Sequence, residues 1–217
     1  SLAGLKRWID DGIRLYGDHP DNQRAYFALA SPDSRAILQR EREGTLFADV
    51  ERRLDLYLRA LWRDSDQLVP YSTAFDELRK PIPYYDRLGL RVPDVFDDAN
   101  GPGGTVSGLD RYRAVLAHMI GHRRWSRPQI ADNWSPFQRM AVEFFEDCRI
   151  ENLLIREYPG LRRIFLALHP KPVEDACDPE TTSCLRHRLA MLSRALIDPD
   201  HGYADKDLLN FAGRFHE

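Results

Sequence analysis

His118 and His122 stand four residues apart, a spacing that places both imidazoles on one helical face and lets them chelate a single metal ion. Downstream, Glu143, Glu146, Asp147 and Glu151 follow on adjoining turns of a second helical stretch. Two histidines from one helix and a carboxylate from the next form a known zinc geometry, and the ligand set read from the spacing is His118, His122 and Glu146. In a zinc hydrolase the residue after the first histidine is a glutamate that takes the proton from metal-bound water. Here that residue is Met119, which cannot act as a base. The rival reading is structural: the same histidines hydrogen-bond or pair with the same acids, and Arg123, Arg124, Arg149 and Arg156 supply charge enough without metal. On that reading no cofactor is needed; on the first, the cofactor is zinc.

Other chemistries fail sooner. There is no GK[ST] loop to cradle phosphates, so no ATPase is expected, and no Gly-x-Ser-x-Gly elbow. Gly101–Gly104 lacks the strand-turn-helix setting of a nucleotide fingerprint and reads as a loop. Asp198–Asp205 lacks the closing bidentate glutamate of a calcium loop and reads as a helix–helix turn. Cys148, in mid-helix, reads as a small buried hydrophobe.

The elements that must position these residues are helical. Leu5, Trp8, Ile9 and Ile13 make one apolar stripe, and Ser31-Pro32 supplies a cap and first-turn proline for a short helix. Between Thr45 and Arg63, Phe47, Val50, Leu54, Tyr57, Leu58, Leu61 and Trp62 share a face. Prolines and glycines from Lys80 to Gly108 forbid a long helix, so residues 81–104 are expected to form an ordered crossover with a flexible tip at 100–104. That crossover would join sub-domains 1–80 and 105–217. Ser107 caps a helix to about Trp125, and Ser135-Pro136 starts one to about Tyr158. Leu161–Leu168, a helix capped by Ser183, and a last amphipathic stretch from Leu208 to Phe215 follow. Strict apolar/polar alternation is absent, which predicts a mainly α, irregular multi-helix fold with a Pro/Gly-rich crossover.

Composition agrees with a globular chain: 217 residues, 43% apolar and 30% charged, are enough to bury a core. With 31 Lys+Arg against 34 Asp+Glu the formal charge is −3, which argues against a nucleic-acid partner. No apolar run approaches a bilayer span, so no membrane partner is expected. Cys148, Cys177 and Cys184, an odd set without CxxC spacing, point to a reducing compartment and a cytoplasmic location.

Several stretches carry a resemblance. Arg24–Ser34, Tyr84–Asp94, Leu109–Ser126 (LDRYRAVLAHMIGHRRWS), Ser135–Gln138, Phe145–Glu151 and Pro159–Arg163 resemble the N-terminal part of CbbO proteins in the NorD/CbbO family. The resemblance implies a non-enzymatic adaptor that docks on the hexameric MoxR-type AAA+ ATPase CbbQ. That motor releases inhibitory sugar phosphates from Rubisco. NorD proteins, which assist nitric oxide reductase, are the alternative within the family. Family members end in a von Willebrand factor A domain with a DxSxS adhesion site. No such motif occurs here, so this chain is expected to be the N-terminal domain alone, with Rubisco met through the absent part. The His118/His122 segment also resembles HExxH proteins carrying a downstream Glu-Asp helix, which implies a degenerate zincin-like core reused as a scaffold. The Arg123-Arg124 and Arg162-Arg163 pairs are the expected interface charges.

Overall fold

The computed structural model describes residues 2–40, 44–73, 82–177 and 184–216. Among them, nine α-helices carry most of the chain and the strands are short, so the fold is mainly α, as the periodicity predicts. The chain divides into two units, Ser1–Gly44 and Thr45–Glu217.

The first unit holds α1 (Leu2–Tyr16), α2 (Pro20–Phe27) and α3 (Pro32–Arg40). Its centre is aromatic. Tyr26 is fully buried, stacks on Trp8 at 5.5 Å, and donates its hydroxyl to the Trp8 carbonyl at 2.9 Å. Trp8 Nε1 in turn donates to Ser34 Oγ, also buried, at 2.8 Å. Gly12 lets α1 approach this ring, because a Cβ there would lie 2.5 Å from Tyr26 Cε1.

The second unit begins with β1 (Thr45–Leu46) and α4 (Phe47–Tyr57), which runs on as a π-helical turn, Leu58–Trp62, ended by Arg63 in the left-handed conformation (φ 52°). Strands β2 (Leu68–Tyr71), β3 (Tyr84–Asp86) and β4 (Gly89–Pro93) form a mixed sheet ordered β2-β4-β3, parallel between β2 and β4. β5 (Val95–Phe96) pairs with β1, and β6 (Ala99–Gly101) makes a hairpin with β7 (Gly104–Val106). Helices α5 (Gly108–Trp125), α6 (Pro136–Glu157), α7 (Leu161–Leu168), α8 (Leu185–Ile197) and α9 (Lys206–His216) complete it. One core joins α4, β2, β4, α5, α6 and α7 around Leu54, Leu90, Leu116, Ile150 and Leu154; a second joins α6, α8 and α9 around Cys148, Met191, Leu196 and Leu208. Cys148 is buried, and its thiol is pushed up to about 12 by that burial.

Four expectations change. Residues 82–104 are strand-rich where they are described: β4 pairs with β2 and β3, β5 with β1, and β6 with β7, each too short for alternation to show in the sequence. The tip at 100–104 is a packed hairpin: a Cβ at Gly101 would sit 1.8 Å from the Ala167 carbonyl oxygen. The division of the chain falls at Gly44 rather than near 80, since Phe47, Val50, Leu54 and Leu58 enter the same core as α5. Finally, Cys177 and Cys184 form a disulfide, which removes the cysteine argument for a reducing compartment. Among the described residues, no helix is long and apolar enough to cross a membrane. The expected cap at Ser183 lies outside the described residues.

Candidate metal centre

Two well-capped helices bring the histidines and acids together. Ser107 Oγ accepts the Asp110 amide at 3.2 Å and starts α5; Tyr112, fully buried on that helix, donates to the Pro93 carbonyl at 2.8 Å and ties it to β4. Ser135 and Gln138 make a reciprocal capping box at the head of α6, with Pro136 in its first turn. Gly121 sets the spacing between the two helices. A Cβ there would meet Ile150 Cγ2 at 2.6 Å, so only glycine permits this approach.

His122 Nε2 lies 3.0 Å from His118 Nε2 and 3.0 Å from Asp147 Oδ1, while His118 Nε2 lies 3.6 Å from the same oxygen. These three atoms form the group among the described residues that could hold a metal ion. The outer ring nitrogens are held as well. Ser126 donates its hydroxyl proton to Glu146 Oε1 at 2.5 Å, so its oxygen is left to accept from His122 Nδ1 at 2.9 Å. Glu151 Oε1 lies 3.6 Å from His118 Nδ1, and its other oxygen accepts from His169 Nε2 at 2.7 Å. Ser193 Oγ stands 2.8 Å from His169 Nδ1. The chain Ser193–His169–Glu151–His118 thus braces the cluster from behind.

Charge in the cluster is balanced internally. Burial opposes an imidazolium at His118, but the carboxylates of Asp147 and Glu151 outweigh it and raise its pKa to about 9. Burial pushes the carboxyls of Asp147 and Glu151 up, and the histidines against them reverse this and hold both below the usual range. Glu146 is drawn down to about 2, chiefly by the Arg149 guanidinium at 2.6 Å.

The cluster forms part of the wall of a cavity of about 650 Å³, together with Tyr84, Tyr85, Val115, Met119, Glu143, Phe165 and Leu168. Met119, in the position after the first histidine, is buried at 8% exposure.

Of the ligands read from the spacing, His118 and His122 come together and Glu146 does not join them. Its carboxylate is spent on Arg149 and Ser126, one side of the helix away, and Asp147 takes the third place. Counting along α6 could have found this: residues 143, 147 and 151 repeat every four and share a face, whereas 146 is turned about 100° from 147. His169 carries no such signal, since it arrives from beyond α7 through tertiary packing. Arg123 is occupied by Asp64 and Asp66, Arg124 by Glu157 at 3.2 Å, and Arg163 approaches Asp110 at 3.5 Å, so most of the expected interface charge is paired within the chain. Comparison with family models, with curated proteins and with solved structures finds no match to the chain.

Proposed function

We propose that the chain is a non-enzymatic adaptor domain that docks on a MoxR-type AAA+ hexamer of the CbbQ kind and couples it to Rubisco, so that inhibitory sugar phosphates are released. The observation that carries the protein-binding part is an exposed apolar surface on the second unit. Phe145 on α6, Leu185 on α8, and Leu209 and Phe211 on α9 are 42%, 40%, 42% and 55% exposed. Phe145 and Phe211 flank a groove of about 300 Å³ between these helices, and Phe145 also borders a second hollow of about 620 Å³ with Trp125, Trp134 and Phe215. Phe145, Leu185 and Phe211, exposed around one groove, make the kind of apolar patch that a partner covers. The resemblance in Leu109–Ser126 and Phe145–Glu151 supports the choice of partner. Met119 at the base position, and the lack of any GK[ST] loop, favour an adaptor over a hydrolase or an ATPase.

On this reading the protein works in the cytoplasm, and Rubisco is met through a further domain of the adaptor. The test is capture of the CbbQ-type hexamer, with ATP, by the purified chain and by Phe211→Glu. Binding by the wild type and at least tenfold weaker binding by the variant, at unchanged melting temperature, is the expected result. Absence of binding, or capture of nitric oxide reductase accessory ATPase in its place, refutes the assignment.

A further inference from the structure

The three atoms His118 Nε2, His122 Nε2 and Asp147 Oδ1 do not make sense as a hydrogen-bonded triangle. Each side needs a proton, and the Ser126 contact has already claimed the ring proton of neutral His122. Ser126 gives its hydrogen to Glu146, so His122 Nδ1 must carry the imidazole proton, and Nε2 presents a lone pair. Glu151, an acceptor, faces His118 Nδ1, which leaves the His118 Nε2 lone pair facing the same point in the neutral ring. With the His118 ring proton displaced, as metal binding requires, two nitrogen lone pairs and a carboxylate oxygen converge at 3.0, 3.0 and 3.6 Å. An added proton can satisfy at most two of the three sides. A cation satisfies all three.

The dimensions select the cation. Zinc bound tetrahedrally at about 2.0–2.1 Å requires ligand atoms about 3.3 Å apart, close to the mean of the observed sides. An ion about 2 Å from all three atoms would stand about 0.7 Å out of their plane, as the central ion does above one face of a tetrahedron. Histidine nitrogens favour zinc over magnesium or calcium, which prefer an all-oxygen shell. The outer shell also resembles that of a metal site: the far nitrogen of His122 is held by a serine backed by a carboxylate, and a carboxylate oxygen faces the far nitrogen of His118 at 3.6 Å.

We propose that His118, His122 and Asp147 bind one zinc(II) ion that clamps α5 to α6, with its fourth position open to the 650 Å³ cavity. The site stands apart from the adaptor reading: its existence depends on these three side chains and not on any partner. With Met119 beside it, the ion serves to fix the helices and offers a coordination position to a donor atom entering the cavity.

The test uses the chain purified without an affinity tag, stripped by chelator, and titrated with zinc(II) and separately with cobalt(II). One zinc per chain is expected, with the intense visible absorption of four-coordinate cobalt. His122→Gln and Asp147→Asn should each weaken zinc at least a hundredfold. Glu151→Gln, which removes only the carboxylate behind His118, should weaken it about 10–100-fold. Glu146→Gln should weaken it less than Asp147→Asn. No zinc bound at 100 µM free metal, a six-coordinate cobalt spectrum from the wild-type chain, or equal effects of Glu146→Gln and Asp147→Asn would each overturn the proposal. The cobalt spectrum is read on the wild type, so a variant that fails to fold leaves the test intact.

Discussion

Adding one methyl group at Gly121 sets two effects of opposite sign against each other. Alanine in a helix interior is favoured over glycine by about 1 kcal/mol. Against this, the new Cβ would lie 2.6 Å from Ile150 Cγ2 and 3.2 Å from Leu154 Cδ1, where carbon atoms prefer about 3.5–4.0 Å. Ile150 and Leu154 are fully buried, and the clashing Cγ2 is attached directly to the β-branched carbon of Ile150, which cannot swing aside. The helices must part by close to 1 Å, an overpacking that costs about 1–3 kcal/mol. Gly213 on α9 supplies the control, because a Cβ there meets nothing within 4 Å. Gly213→Ala should therefore raise stability by up to about 1 kcal/mol, while Gly121→Ala should lower it by up to about 2 kcal/mol. At roughly 2–4 °C per kcal/mol for a chain of this size, the two variants should melt several degrees apart, with Gly213→Ala higher. Thermal unfolding followed by circular dichroism measures the difference. Equal melting temperatures, or a more stable Gly121→Ala, would refute the close α5–α6 approach on which the geometry of the histidine cluster rests.

Further outcomes follow from other parts of the molecule. Arg194 and Asp198 form a buried pair in which Nε and Nη2 both donate to Oδ2, at 2.8 and 2.7 Å; burial pushes the carboxyl of Asp198 up, and Arg194 with the Asp200 amide holds it below its ordinary value. A depressed folded pKa gives stability that is present above the unfolded value of about 3.9 and lost as pH falls through the folded one, so Asp198→Asn should flatten the acid limb of a stability–pH curve below about pH 4. Reducing Cys177–Cys184 opens a loop of only seven residues' separation, and chain entropy places the loss at about 2.5 kcal/mol; a fall of about 5–10 °C in melting temperature with dithiothreitol is expected, and global unfolding is not. The purified chain should release no phosphate from ATP above the no-protein rate, since no loop cradles a triphosphate.

Helix ends were the most legible part of the chain, because their chemistry is local. Ser107 and Ser135-Pro136 carry their caps in the sequence, and α5 and α6 start where those residues say. The strands were not legible. β1, β5 and β6 span two or three residues, too few for alternation to register, and β2 finds its parallel partner β4 across a long connection. The π-helical turn at Leu58–Trp62 reads as plain α periodicity. At the cluster, two histidines four apart announced themselves, but choosing Asp147 over Glu146 required knowing which face of α6 meets α5. That face is set by Gly121, Ile150 and Leu154, residues with no chemistry of their own.

Phe47 and Ile197 belong to one buried cluster, so the ends of that core are about 150 residues apart along the chain. At roughly 5–20 residues per second of synthesis, α4 leaves the ribosome some 8–30 s before the last strip of its packing surface. During that interval Val50, Leu54 and Leu58 have no completed interior to enter. The ring partners of Tyr26, namely Trp8, Tyr16 and Phe27, all lie before Gly44, and that cluster can close as soon as α3 emerges. The nascent protein is thus a finished aromatic knot followed by a growing, unsheltered apolar helix. A pause or premature stop anywhere between α4 and α8 leaves a product that chaperones must hold and proteases will recognise.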